Sequence, residues 1–174
     1  MMNSDFQRQE MDAVLWREKK IESRRVDGIA LRLPTTGDTK ALQEAADEYY
    51  TQAASELKLI VAGLGAMRTV PRVAKINEQY YAKLQKMGAV GDILYHFFRA
   101  DGSPIAPDPA SGIFPFTIQR LREFIKAGKR VVVLAGGMEK VEALRNALRA
   151  PVEARFFTDL VTDEIAAREL VGRD

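Results

Sequence analysis

The chain contains no cysteine and a single histidine, His96. The first absence removes disulfides, thiolate metal ligands and a cysteine nucleophile. The second removes any metal site built on several imidazoles. No apolar run reaches the length a bilayer demands, and Met1 is followed by polar residues rather than by the pattern of a secretory leader. A large charge imbalance is missing too. The 26 Lys and Arg stand against 24 Asp and Glu, a net charge of +2, so the bulk charge does not demand nucleic acid. Internal repeats, low-complexity tracts and an interdomain linker are likewise absent. What is there is an ordinary globular composition, 47% hydrophobic and 29% charged, over 174 residues, enough for one domain with a real core. The expectations are a cytoplasmic location, no membrane partner, no metal and no cofactor.

Along the chain, residues 4–25 read as a charged helix whose narrow apolar face carries Phe6, Met11, Val14, Leu15 and Trp16. Its basic run from Arg17 to Arg25 is interleaved with Glu18 and Glu22, as on a solvated helix face rather than a nucleic-acid patch. Val26 to Leu33 alternates as a strand. Leu42, Ala45, Ala46, Tyr49, Tyr50 and Ala53 recur at helical spacing and predict a helix from Thr39 to Leu57. Leu59 to Ala62 is a short apolar strand that stops at Gly63-Leu64-Gly65. A helix over 74–87 ends at Gly88, placed as a left-handed cap. Ile93 to Phe98 is predicted as one strand, followed by a turn at Ala100-Asp101-Gly102. Residues 104–115 form a loop, and Thr117 to Ala127 a helix closed by Gly128. Val131 to Ala135 is the strongest strand. Met138 to Arg149 is an amphipathic helix, Ala154 to Phe157 a strand, and Thr162 to Val171 a last helix capped by Thr162. The strands at 59 and 131 are apolar without alternation, which belongs to a sheet covered on both faces. The expected class is therefore α/β, a largely parallel sheet with helices on both faces, binding ligands at the carboxyl ends of its strands.

Four groups of residues carry candidate chemistry. In Gly136-Gly137-Met138-Glu139-Lys140 a strand breaks and a helix starts, so backbone N–H groups, a helix dipole and the Lys140 charge can converge on an anion. The plain alternative is a tight turn with Lys140 in solvent. Gly63-Leu64-Gly65 is not a dinucleotide fingerprint, because Arg68 stands where the third glycine belongs. It suits either a backbone contact to a sugar or phosphate, or a simple turn. Asp92 can accept hydrogen bonds from sugar hydroxyls, or from local backbone N–H groups. His96, among aromatics, reads as a packed residue rather than a base. A faint helix-turn-helix echo over Ile60 to Ile76 fails because Pro71 would break the second helix.

In order and spacing, several phrases resemble the sugar-binding effector domain of SorC/DeoR-type bacterial transcriptional regulators. They are Leu59 to Gly65, Gly88 to Phe98, Asp101-Gly102, Gly136-Gly137-x-x-Lys140, and Val161-Thr162-Asp163-Glu164 with Ala166, Ala167 and Leu170. The resemblance runs from about Leu42 to Leu170. It implies a sugar-phosphate-isomerase-like fold (NagB/RpiA/CoA-transferase-like), a phosphorylated sugar or similar anionic metabolite as ligand, and binding rather than catalysis. It implies that Gly65, Asp92 and Lys140 line the site, with Gly136 and Gly137 in the turn and Arg68 or Arg72 as a further phosphate partner. The whole of 1–174 would be one effector-binding domain, with 38–174 resembling the family core and 1–37 matching it poorly. The family's DNA-binding module and its first strand, Gly-rich loop and helix find no match here. The expectation is thus an N-terminally truncated domain that meets DNA only through a module outside this chain. Such a sheet has exposed edges, and a homo-oligomer is expected from them. Two other readings stay open: a sugar-phosphate isomerase or lactonase on the same fold, for which Asp92 lacks an identified partner, and a ligand-free oligomerisation domain.

Overall fold

The computed structural model describes residues 39–68, 78–107 and 115–172. The helix and strand expected before residue 38, and Arg72, lie outside the described residues. Helix α1 (Thr39–Glu56) leads into strand β1 (Leu59–Ala66). Helix α2 (Glu78–Lys86) precedes a hairpin of β2 (Ala89–Ile93) and β3 (His96–Arg99). Helix α3 (Ile118–Lys126) leads to β4 (Arg130–Leu134). A 3₁₀ turn (Met138–Lys140) runs into α4 (Val141–Arg149), and β5 (Asp159–Val161) and α5 (Glu164–Val171) follow. The five strands form one sheet in the order β3-β2-β1-β4-β5. The β1–β4 and β4–β5 pairs are parallel. The β1–β2 and β2–β3 pairs are antiparallel.

Side-chain parity decides what each face does. Ala62, Leu64 and Ala66 of β1, with Val131 and Val133 of β4, point to one face and are buried there. Against them lie Ala53 of α1, Ile118, Leu121 and Phe124 of α3, and Ala143, Leu144 and Ala147 of α4. Helix α3 shows why: its apolar residues fall three apart, and Thr117 caps it by accepting the Arg120 N–H at 3.1 Å. The opposite face is covered over the hairpin, where Leu84 of α2 packs with Phe97, Met67 and Ile105. Helices thus stand on both faces. Over β1, β4 and β5 the second face keeps Leu59, Val61, Leu134 and Val161 exposed at 43–56%.

The structure differs from the sequence expectations at four places. The stretch Ile93 to Phe98 is not one strand: the chain reverses at Leu94 and Tyr95, both left-handed at φ 50° and 66°. Neither residue signals such a turn, which glycine or asparagine normally fills. Ala100-Asp101-Gly102 does turn, with Gly102 at φ 78° and Phe98 bridging Pro104. Strand β1 does not stop at its glycines but runs through them to Ala66. Ala154 to Phe157 is not a strand; Phe156 and Phe157 fill the core, and pairing begins at Asp159. There the apolar residues serve packing rather than a ladder. Finally, Asp163 caps α5, its carboxylate accepting the Ala166 N–H at 2.7 Å, in place of Thr162.

Candidate functional site

Strand β1 lies between β4 and β2, and its two edges are paired over different lengths. Its last pair with β4 is Gly63 with Leu134, and on the other edge Leu64 to Ala66 pair with β2. Beyond that level β4 has ended, and the chain continues through Gly136 and Gly137 into the 3₁₀ turn at Met138. The carboxyl ends of β1 and β4 lie together there, at the end where open α/β sheets take their ligands. The glycine-bearing segments after residues 62 and 134 lie at one end of the sheet, since the two strands are parallel. Gly88 belongs elsewhere: it ends α2 at φ 79° and enters β2, so the β1–β2 register brings Asp92 beside Gly65.

Gly65 and Asp92 are direct cross-strand partners on the second face. The Asp92 carboxylate lies over Gly65 so closely that a Cβ on residue 65 would strike Asp92 Oδ1. Glycine is needed there to leave the carboxylate its place. Burial pushes the Asp92 carboxyl above the ordinary carboxylate range. A hydrogen bond from the Tyr95 backbone N–H and the nearby charge of Lys140 pull the other way. Lys140 closes the 3₁₀ turn that carries the chain from β4 to α4. The sheet thus brings together Gly65, Asp92 and Lys140, three residues that are 27 and 48 positions apart along the chain.

The Gly136-Gly137 turn is built differently from the expected anion cradle. The Gly137 N–H donates to Asp163 Oδ2 at 2.5 Å, so one of its donors is already committed to a carboxylate of this chain. A Cβ at Gly136 would meet the same carboxylate. Asp163 therefore joins the turn after β4 to the N-terminus of α5, through Gly137 on one oxygen and Ala166 on the other. Sequence reasoning missed this tie. The signal was the Thr162-Asp163-Glu164 triplet, in which either of the first two residues can cap. The unused candidate, Thr162, has a buried Oγ1 with no hydrogen-bond partner among the described residues.

Arg68 follows β1 and lies 3.9 Å from Glu142 with both side chains in solvent, a pairing of little energetic weight. Arg72 lies outside the described residues. His96 is 5% exposed and pairs with Ile93, which places it on the face opposite Asp92. It is a packed residue and not an acid–base partner for that carboxylate. Among the described residues no group of three or more His, Asp or Glu side chains is arranged to hold a metal. No helix among them is long and apolar enough to cross a membrane.

Comparison with known proteins agrees with this architecture. The profile of a family described as "Putative sugar-binding domain" matches residues 31–172. The chain is 28% identical over 120 residues to the erythritol catabolism regulatory protein EryD of Brucella abortus, covering 68% of this chain and 35% of that protein. It is 30% identical over 126 residues to the transcriptional regulator LsrR of Klebsiella pneumoniae, covering 69% and 36%. It thus spans little more than a third of the length of these curated relatives. In fold it is similar to a DeoR family transcriptional regulator from Listeria monocytogenes, with a TM-score of 0.67 at 22% identity over 93% of this chain and 64% of that one. It is also similar to the full-length sorbitol operon regulator SorC from Klebsiella pneumoniae, with a TM-score of 0.59 at 19% identity over 87% and 48%.

Proposed function

The chain belongs to the sugar-binding domain family of SorC/DeoR-type transcriptional regulators, and from that premise we propose that it holds a phosphorylated sugar, or a similar anionic metabolite, at the carboxyl ends of β1 and β4. One observation carries the proposal. A half-buried carboxylate, Asp92, is laid over Gly65 within the field of the Lys140 charge. A carboxylate receives sugar hydroxyls, and a lysine beside it receives a phosphate, so the pair suits a ligand that carries both. Gly136 and Gly137 form the turn that presents Lys140, and Arg68 and Arg72 are the further basic residues available to a phosphate. The reading is one of recognition rather than turnover, in keeping with a family described as a sugar-binding domain. In a cytoplasmic regulator the domain would sense the metabolite, and a separate module would meet DNA. Self-association fits the apolar side chains left exposed on the second face.

Thermal unfolding with the phosphate monoesters of erythritol, sorbitol, ribose and glucose, and with the free sugars, tests this. A ligand at a hundredfold its Kd stabilises by about 2.7 kcal/mol, roughly 5–11 °C for a chain of this size. The expected result is a shift with a phosphate monoester and a much smaller one with its free sugar. No shift with any phosphate monoester contradicts the proposal, and turnover of a ligand would favour the isomerase reading.

A further inference from the structure

Both glycines of the turn after β4 lie against carboxylates of the chain itself. A Cβ on Gly136 would meet the Asp163 carboxylate, and a Cβ on Gly137 would lie 2.6 Å from Glu139 Oε2 and 2.9 Å from Glu139 Oε1. The two carboxylates are held differently. Asp163 is fixed by two backbone hydrogen bonds, from the Gly137 N–H and, as the cap of α5, from the Ala166 N–H. Glu139 is exposed, and no ion pair or hydrogen bond among the described residues ties its carboxylate. It belongs to the 3₁₀ turn that runs into α4, so it stands at the end of a helix whose dipole draws negative charge. A ligand phosphate would use the same attraction. Lys140, the cation assigned to that phosphate, is the next residue along the chain. The turn that draws an anion is therefore already covered by an anionic side chain, and of its two carboxylates Glu139 is the one that can swing away.

We infer that Glu139 is a specificity-determining residue that competes with the ligand's phosphate: its carboxylate covers Gly137, and a phosphate entering the turn displaces it. The inference rests on the reading that Lys140 takes a phosphate. Since like charges oppose, Glu139 lowers the affinity for phosphate esters and leaves the affinity for the free sugars unchanged. Asp163, bonded through both oxygens, keeps its place.

The test is isothermal titration of the parent, Glu139→Gln, Glu48→Gln and Lys140→Ala with the phosphate monoesters of erythritol, sorbitol, ribose and glucose and with the free sugars, beside their Tm without ligand. Glu139→Gln should bind a phosphate ester about three- to tenfold more tightly than the parent, the effect of removing one like charge a few ångströms away at a solvated surface. The gain should shrink between about 0.02 M and about 0.3 M salt. Its Tm should fall by up to about 4 °C, because the helix end loses its carboxylate. Glu48→Gln makes the same change of net charge on the exposed side of α1 and should bind like the parent. Parent-like affinity in Glu139→Gln overturns the inference, and loss of binding in Lys140→Ala then leaves the phosphate reading standing. Weaker binding of ester and free sugar alike makes Glu139 an acceptor of sugar hydroxyls and overturns it. An equal gain for the free sugar, or in Glu48→Gln, removes the competition at the turn and also overturns it. If neither the parent nor Glu139→Gln binds any of the four esters, the phosphate reading itself fails, and the role of Glu139 falls with it.

Discussion

Gly65→Ala perturbs the site through a single methyl group. The added Cβ strikes the Asp92 carboxylate, which is the end of a side chain and can swing away. The fold should therefore survive. Displacing a packed group costs about 1–3 kcal/mol. Stiffening the unfolded chain returns about 0.4–1 kcal/mol. The net loss should be about 1–2 kcal/mol, or a Tm lower by roughly 2–8 °C. Binding should suffer more. With Asp92 turned away from Gly65 and its bond from Tyr95 broken, affinity for a sugar phosphate should drop at least about tenfold, or 1.4 kcal/mol. Gly91→Ala is the contrasting control, because there the Cβ lands 2.5 Å from the Gly65 carbonyl oxygen, 2.9 Å from Phe98 Cζ and 3.0 Å from Ala143 Cβ. Backbone and buried neighbours cannot swing away, so about 3 kcal/mol or more of stability should go. Calorimetric unfolding and isothermal titration of the two variants read both quantities. Parent-like binding by Gly65→Ala would refute the claim that the placement of Asp92 over Gly65 matters to the ligand.

Three further outcomes follow from the structure. Asp163→Ala removes the tie to Gly137 and the cap of α5 together, and should cost about 2–4 kcal/mol in chemical denaturation; a loss under about 0.5 kcal/mol would show that the tie holds nothing. Burial raises the Asp92 carboxyl, so folding favours its neutral form, and that contribution is present on the acid side and lost as pH rises through the raised value. The Tm of Asp92→Asn relative to the parent should accordingly increase from acid to neutral pH, and a flat or opposite trend contradicts the burial argument. Sedimentation at micromolar concentration should show species larger than the 19.4 kDa chain, and Val61→Glu on the exposed second face should reduce them; a monomer throughout sinks the self-association reading.

The sheet was legible in the sequence where burial alone sets the pattern. Val131 and Val133 fall on the covered face of β4, and the apolar spacing of Leu121 and Phe124 marked α3 directly. The three separated candidate residues Gly65, Asp92 and Lys140 stand out through the order of short phrases, not through any one of them. What escaped was set by tertiary register. Leu94-Tyr95 turns because the β2–β3 pairing and the Tyr95 bond to Asp92 demand it, against local preference. Strand β1 runs through its glycines because β2 pairs with its other edge from Leu64 to Ala66 and because Asp92 needs the space over Gly65. Asp163 reaches back to Gly137 across 26 residues, a distance at which no local pattern warns of a contact.

The anion site stands or falls with Lys140, and titrating parent and Lys140→Ala side by side tests it most directly. Each protein is titrated with one sugar phosphate and with the corresponding free sugar. The account predicts that the substitution weakens phosphate-ester binding by about 1.5–3 kcal/mol, roughly ten- to a hundredfold or slightly more, with unchanged Tm and little effect on the free sugar. Equal affinity of the two proteins for the phosphate ester would contradict it and leave Lys140 as a surface residue of the turn after β4.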